Sequence, residues 1–257
     1  MRRLVDAGWA PSTAAASIVA GTVPPDLDTP SPTNAPPTNG AGAPPPEPEA
    51  VTLSERLVRA ARELDVPAVD RVLDDIFASA SFERAASDLL FPALRRLGEA
   101  WAAGEVTVAG EHLASAAVLR RLGLALDAAG SAGMRGPTVV VGLPPGGRHE
   151  LGALAFAVAA RRAGMAVRYV CADLPIDDWV AATGGADAAV VGVVTAKDRR
   201  PAVDVAEAIG GARPDVVVVL GGHGAPERAD VGRLDGTLSE SVAALRAALD
   251  QRAVRAS

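Results

Sequence analysis

The sequence has one cysteine, no long apolar run and few aromatic residues, and each shortage excludes a class of protein. Cys171 is the single cysteine among 257 residues, which excludes an internal disulfide framework and a cysteine-rich zinc site. Its neighbours favour a small residue at a strand end. No run of 18 apolar residues occurs, so we expect no membrane span. Asp6 and Pro11 interrupt the apolar N-terminal stretch, which argues against a signal peptide and leaves a cytoplasmic protein as the expectation.

Positive charge is also in short supply. Lysine and arginine number 25 against 31 aspartate and glutamate, a formal net charge of -6, which argues against a broad nucleic-acid surface on this chain. Aromatic residues make up 3% of the chain whereas hydrophobic residues make up 49%. Alanine, valine and leucine must therefore form the core, which favours helices and a buried valine-rich sheet over an all-β fold.

A proline-rich stretch divides the chain. Residues 24–48 contain ten prolines among serine, threonine, asparagine and glycine, a composition that cannot bury enough apolar surface to offset the entropy of ordering. We predict an extended linker over 24–50. The piece before it, 1–23, is too short to form a stable core by itself.

Residues 51–132 have the spacing of helices. Leu53, Leu57, Val58 and Ala61 recur at helical intervals, and three further helical stretches follow. We expect the third helix to bend or restart near Pro92. Four antiparallel helices with short turns predict a four-helix bundle.

Residues 137–253 alternate between strands and helices. We predict strands at 138–142, 166–170, 188–194 and 216–220, a short strand near 233–236, and helices between them that include one starting at His149. Continuous β-branched runs are typical of parallel strands buried on both faces, so we predict a Rossmann-like, doubly wound parallel sheet. Ligands of such sheets bind at the carboxyl ends of the strands, where His149, Thr195 and Gly221 fall.

His149 lies in the glycine-flanked segment PPGGRHELGALA. It is either a polar residue before a helix or a metal ligand, since neutral imidazole is a common ligand of transition metals. No zinc-like spacing of ligands surrounds it, but a lone ligand is what a metal macrocycle needs, because the ring fills the other positions. Gly146, Gly147 and Gly152 allow close approach of a bulky group, and neither a dinucleotide fingerprint nor a phosphate-binding lysine loop appears.

Two further groups of residues are candidates for binding. Gly221 and Gly222 follow a valine-rich strand, where they form either an ordinary turn or a close approach to a flat ligand; His223 then lies at the surface or at a pocket rim. In WAAGEVTVAGEHLAS, Trp101 comes ten residues before Glu111 and His112. Trp101 is either a core anchor or a cover for a flat group, and Glu111 can accept hydrogen bonds from ribose hydroxyls.

On these motifs and on VRYVCADLPIDDW, residues 52–250 resemble the C-terminal part of MerR-family, cobalamin-dependent, light-responsive repressors. The resemblance implies a four-helix bundle joined to a Rossmann-like domain that binds adenosylcobalamin. It implies that Trp101, Glu111 and His112 cover the adenosyl group and that His149 binds cobalt from the lower face. By the same resemblance, the ligand's tail enters the domain near Gly152, Gly221 and Gly222, with Thr195 as a further contact.

The chain departs from the family's pattern at three positions. Gly147 stands where the family has an acid that orients the ligating imidazole, Val193 replaces a serine, and Ala102 replaces a histidine that serves as a second cobalt ligand after illumination. The N-terminal piece resembles the last helices of a MerR-type winged helix whose recognition helix is absent. We therefore expect DNA binding only if an upstream domain is missing from this chain.

The resemblance implies a cobalamin-binding sensor that is not an enzyme and that forms a homo-oligomer. Two alternatives remain open. One is a corrinoid carrier that shuttles methyl groups in a methyltransferase system, which would use methylcobalamin. The other is a scaffold that binds no corrin, an alternative suggested by the departures at Gly147 and Val193.

Overall fold

A helical bundle followed by a parallel sheet forms the protein, as the sequence predicts. The computed structural model describes residues 48–130, 136–228 and 231–256. The predicted winged-helix piece 1–23 and the greater part of the predicted linker lie outside the described residues, and the first described helix begins at Pro48. Among the described helices, none combines the length and the apolar character that crossing a membrane requires.

The bundle has four helical rods, the third of which is interrupted. Its helices are α1 (Pro48–Glu63), α2 (Val66–Ala78), α3 (Phe82–Arg84), a π-helical segment (Ala85–Leu90), α4 (Phe91–Ala102) and α5 (Val108–Ala128). Helix α3, the π-helical segment and α4 are continuous. The fully buried side chains of the bundle include Leu57, Leu73, Ile76, Leu90, Leu97 and Leu122.

The third rod does not end near Pro92, where the sequence predicts a bend or restart, but its α-helix is interrupted just before this proline by the π-helical segment. Proline lacks the N–H that an α-helix would use, and its ring crowds the carbonyl four residues earlier. The turn before it is widened, so that the Phe91 N–H donates to Ala86 O, five residues back. Such π-turns relieve the crowding without ending the helix.

The sheet has five parallel strands. They are β1 (Thr138–Gly142), β2 (Ala166–Tyr169), β3 (Ala188–Gly192), β4 (Val217–Gly221) and β5 (Gly232–Leu234), in the order β2-β1-β3-β4-β5. In register, Val141 pairs with Tyr169 on one side and with Val190 on the other. Because the chain continues to opposite sides of β1, the strand order reverses between β1 and β3. A crevice for ligands opens at such a switch point.

Both faces of the sheet are covered by helices. Helices α6 (Leu151–Arg162) and α9 (Leu238–Ala256) pack on the face that Val139 and Val141 share with the bundle core. Helices α7 (Ile176–Ala182) and α8 (Arg199–Ala212) cover the face of Val140. This alternation along one strand follows from the two-residue period of β structure.

Hydrogen bonds attach the bundle to the sheet's helices. Arg161 Nη1 donates to Leu126 O at 2.8 Å, and Arg162 Nε donates to Glu83 Oε1 at 2.7 Å. Helix α5 packs along α6, and the apolar core is continuous from the bundle to the sheet. The bundle is therefore fixed over the α6–α9 face.

Two predicted boundaries are wrong at the site. The helix predicted from His149 begins at Leu151, since its first bond runs from the Leu154 N–H to Glu150 O. The strand predicted to reach residue 194 ends at Gly192. Just beyond it, the N–H groups of Val194 and Thr195 both donate to the carboxylate of Asp198, which turns the chain away from the sheet.

Candidate functional site

A cavity of about 410 Å³ opens at the carboxyl ends of the strands. It lies beneath the turns that follow β1, β3, β4 and β5 and beside the first turns of α6 and α9, which is where parallel sheets bind ligands. Four of the predicted site residues line it, namely His149, Gly152, Gly221 and Gly222. The structure thus brings together two motifs that are about 70 residues apart in sequence.

The lining glycines leave room on the side of α6. A Cβ atom added at Gly152 would meet nothing within 4 Å, so its absence enlarges the mouth of the cavity. Gly192, at the end of β3, also lines the cavity, and it was not predicted from the sequence. Its position as the last residue of a buried strand was the available signal.

Gly222 is needed by the fold itself. Its φ is +107°, and an added Cβ would lie 2.5 Å from Val193 O. That oxygen accepts the Gly224 N–H at 3.1 Å, while the Val193 N–H donates to Gly221 O at 2.7 Å. The turn after β4 therefore packs backbone against backbone on the turn after β3, and only glycine fits there without strain.

His149 stands exposed at the mouth of the cavity, two residues before α6. The turn before it closes with the Gly147 N–H donating to Pro144 O at 2.9 Å. Within the described parts of the chain, no group of three or more His, Cys, Asp or Glu side chains could hold a metal ion. His149 is thus an exposed imidazole at the cavity mouth with no such cluster around it among the described residues.

An acidic side chain at position 147, where the sequence has glycine, would be crowded in this loop. A Cβ at Gly147 would lie 3.0 Å from Pro144 O and 3.1 Å from the Leu143 Cβ. The adjacent acid, Glu150, is engaged elsewhere, because Tyr169 Oη donates to its Oε2 at 2.7 Å. Burial first, and then the Glu150 carboxylate, raise the pKa of Tyr169 well above its usual value. Glu150 therefore joins the start of α6 to the end of β2.

Cys171 lies just beyond β2, close to the predicted strand end. Its φ is +61°, and the residue is exposed. Burial of the thiol, with a smaller effect from Glu150, raises the pKa of Cys171. The thiol is accordingly protonated at neutral pH.

Trp101, Glu111 and His112 lie outside this cavity, at the corner between α4 and α5. Trp101 is half-buried against the bundle core. His112 Nδ1 and Glu111 Oε2 are 2.6 Å apart, and Ser115 Oγ donates to Glu111 Oε1 at 2.6 Å. Gly110 brings this helix start against α1, since an added Cβ would overlap Ala61 O.

Helix α4 connects that corner with the cavity. Phe91, at its first residue, lines the cavity, and Trp101 is ten residues further on. At 1.5 Å per residue the two Cα atoms are separated by about 15 Å along the helix. The bundle therefore contacts the cavity at one end of α4 and presents Trp101 at the other.

Thr195 and Val193 also lie outside the cavity lining. The Thr195 hydroxyl donates to Asp198 Oδ2 at 2.9 Å, and the same carboxylate accepts the Thr195 N–H. Val193 is buried among the side chains of the opposite sheet face. Between them, Val194 lines the cavity.

The remaining lining residues include one that the sequence placed at the rim and several that it did not predict. His223 is exposed at the rim, as its position after the glycine pair indicated. Arg233 Nε lies 2.7 Å from Asp235 Oδ1 at the edge formed by β5. The apolar wall is formed by Phe91, Leu143, Phe156, Leu234 and Leu238. These residues come from four separate elements and one loop, and no local pattern relates them.

Known proteins resemble both parts of the chain. Residues 53–125 match the family model described as B12 binding domain. Over 187 residues, 70% of this chain, the sequence is 34% identical to the HTH-type transcriptional repressor CarA of Myxococcus xanthus, covering 62% of that protein. It is 35% identical over 131 residues, 51% of this chain, to the repressor CarH of the same organism, covering 43% of it.

The chain thus spans less than two thirds of the length of these relatives. Among solved structures, the monomethylamine corrinoid protein of Methanosarcina barkeri superposes with a TM-score of 0.60 at 14% identity. That match covers 77% of this chain and 96% of that one, and it establishes the same arrangement of bundle and sheet. The chain is therefore similar to CarA and CarH over much of its length, and its helical bundle is the region that the B12 binding domain model matches.

Proposed function

We propose that this chain is the cobalamin-binding sensor module of a transcriptional regulator. The observation that carries the proposal is the cavity at the sheet's carboxyl end, where His149 meets Gly152, Gly221 and Gly222. Its open α6 side and apolar wall suit a large ligand with an apolar tail. The similarity to two named repressors supports the regulatory part of the proposal.

In this proposal His149 is the lower cobalt ligand. Bound cobalamin would supply a cobalt centre that its macrocycle already ligates, so that one protein imidazole, that of His149, would be sufficient. The exposed position of His149 before α6 leaves its ring accessible at the cavity mouth. Phe91, Phe156 and the glycines of the cavity would then hold the tail of the ligand.

We propose that the upper ligand is adenosyl and that Trp101, Glu111 and His112 recognise it. The indole offers a flat face for the adenine, and the Glu111 carboxylate can accept hydrogen bonds from ribose hydroxyls. Ser115 and His112 hold this carboxylate from two sides, which preorganises it for recognition. Ala102 offers no imidazole for a second cobalt ligand from that position.

DNA binding and assembly belong to the longer regulator that this proposal assumes. The net charge of -6 gives this chain no general attraction for nucleic acid. We propose that DNA is contacted by a domain upstream of the described bundle and that the module acts as part of a homo-oligomer.

The test is to incubate the protein with adenosylcobalamin in the dark, remove free ligand by desalting and record the visible spectrum before and after green light. The proposal expects a retained corrin spectrum and a light-induced change. His149→Ala should lower retention, whereas His223→Ala is a matched control, because His223 is also exposed at the cavity rim. A colourless wild-type protein would contradict cobalamin binding. Retention of methylcobalamin alone, with turnover by a methyltransferase partner, would favour the carrier.

A further inference from the structure

The loop that carries His149 is held by the segment after β2. Asp173 contacts this loop twice: the Gly146 N–H donates to Asp173 Oδ1 at 2.6 Å, and the Asp173 N–H donates to Gly147 O at 3.0 Å. A carboxylate that accepts a backbone N–H makes one of the stronger hydrogen bonds in proteins. One residue thus bonds to the peptide group before Gly146 and to the peptide group before Arg148, both in the loop that carries His149.

Neighbouring residues extend the same contact to the start of the loop. Leu143 O accepts the Leu174 N–H and the indole N–H of the buried Trp179, each at 3.3 Å, and the Leu143 N–H donates to Cys171 O at 3.0 Å. The backbone from Leu143 to Gly147 is therefore pinned along its length. These bonds show what the motif containing Cys171, Asp173 and Trp179 does in the structure: it holds the loop after β1 in place.

The backbone at Asp173 is itself specialised. Its φ is +56°, a left-handed conformation that aspartate, asparagine and glycine tolerate better than other residues. The ion pair with Arg148 is long, at 3.9 Å, and both side chains are more than half exposed, so it contributes little. The hydrogen bond to Gly146, rather than the ion pair with Arg148, is the contact that matters.

We propose that Asp173 is the positioning residue for His149, because from a neighbouring segment it fixes the backbone of the loop that carries the imidazole. A side chain at position 147 would be crowded, with Pro144 O 3.0 Å from an added Cβ, whereas Asp173 reaches the same turn from outside. It acts on the backbone of the loop and thereby sets where the imidazole stands. This inference rests on the proposed function, because it assigns the reason for the placement to cobalt ligation.

The test compares Asp173→Gly with Asp173→Asn. Glycine keeps the left-handed backbone and removes the acceptor, while asparagine keeps both. Two measurements are made on the full chain. Hydrogen exchange reports the Gly146 amide without any ligand. Electron paramagnetic resonance of bound cob(II)alamin reports whether a nitrogen from ¹⁵N-labelled histidine is coordinated.

In Asp173→Gly we expect the Gly146 amide to exchange about tenfold faster, as loss of a hydrogen bond to a charged group implies. We expect a smaller fraction of the bound cobalt to show histidine nitrogen. Asp173→Asn should restore both. Asp65→Gly is the matched control, because Asp65 also accepts a backbone N–H, from Ala68 at 2.9 Å, but caps α2 in the bundle; it should leave both readouts unchanged.

The outcomes separate this inference from the proposed function. If wild type shows histidine-bound cobalt and Asp173→Gly shows the same fraction, Asp173 does not position His149 while the proposed function stands. Faster exchange at Gly146 with unaltered cobalt ligation leads to the same conclusion. If wild type binds cobalamin without histidine nitrogen, His149 is not the cobalt ligand and this inference is overturned, and if wild type binds no cobalamin, the proposed function is overturned as well.

Discussion

The glycine at position 222 offers a calculable perturbation, Gly222→Ala. Its φ is +107°, and the new methyl group would lie 2.5 Å from Val193 O. Gly146 is the matched site, since its φ is +79° and an added Cβ would meet nothing within 4 Å. Both substitutions carry the backbone strain of a positive φ, but only one also meets a neighbouring chain segment.

The shared strain is about 1–2 kcal/mol for each substitution. At Gly222 the Val193 carbonyl must also move, which adds overpacking of about 1–3 kcal/mol. It weakens the 3.1 Å bond from the Gly224 N–H, a contact of about 1 kcal/mol. We therefore expect Gly222→Ala to lower the free energy of unfolding by about 2 kcal/mol more than Gly146→Ala does.

The assay is urea denaturation of both variants, comparing midpoints at equal m-values. Equal losses of unfolding free energy would contradict this explanation, because they would mean that the turn after β4 can move away from Val193 at no cost. If only Gly222→Ala lowers the free energy of unfolding and Gly146→Ala stays close to wild type, the packing explanation stands and the strain assigned to a positive φ is too large.

Three other substitutions test separate parts of the structure. Gly152→Leu should fill the cavity mouth and lower cobalamin affinity at least about tenfold, given overpacking costs. Gly210→Leu, at an exposed glycine of α8, should leave the affinity unchanged. Equal affinities of the two variants would contradict the cavity assignment. Burial raises the pKa of Glu83, but hydrogen bonds from Arg162, from the Glu83 backbone and from Ser81, together with the Arg162 charge, outweigh burial and lower that pKa. A folded-state pKa below the usual value of 4.5 stabilises the protein at higher pH, and this stabilisation is lost on acidification. Glu83→Gln should therefore lower the free energy of unfolding by about 0.5 kcal/mol near pH 7, discounted for the 45% exposure of Arg162, and should not change it near pH 3. An equal loss at both pH values would contradict this mechanism. Trp101→Ala should weaken adenosylcobalamin more than hydroxocobalamin in equilibrium titrations, and a uniform loss would remove Trp101 from the upper face.

The fold was predictable because its patterns are local. Helical spacing in the bundle and β-branched runs such as Thr138–Gly142 give element type directly, and Pro92 marks the interruption of the third rod by its chemistry alone. The strand order then places His149 and Gly221 at one edge of the sheet, so part of the site also followed from the sequence.

The supports of the site were not predictable in this way. The bond between Asp173 and the Gly146 N–H joins residues 27 apart, and no periodicity reports a side chain that binds a distant backbone. Phe91 enters the cavity only because the bundle packs on the α6–α9 face. Thr195 was predicted as a ligand contact from its position after β3. Its hydroxyl instead donates to Asp198 within a local turn, and such a local hydrogen bond competes with ligand binding in a way that the sequence pattern did not show. Its contact with a ligand stays a prediction.

Cobalt ligation by His149 is tested most directly by the paramagnetic resonance spectrum of cob(II)alamin bound to protein labelled with ¹⁵N-histidine. We expect a two-line splitting from a coordinated ¹⁵N nucleus, which His149→Ala abolishes and His223→Ala preserves. A three-line splitting from unlabelled nitrogen would show that cobalt keeps the ligand's own base, and it would contradict the assignment of His149 as the lower ligand.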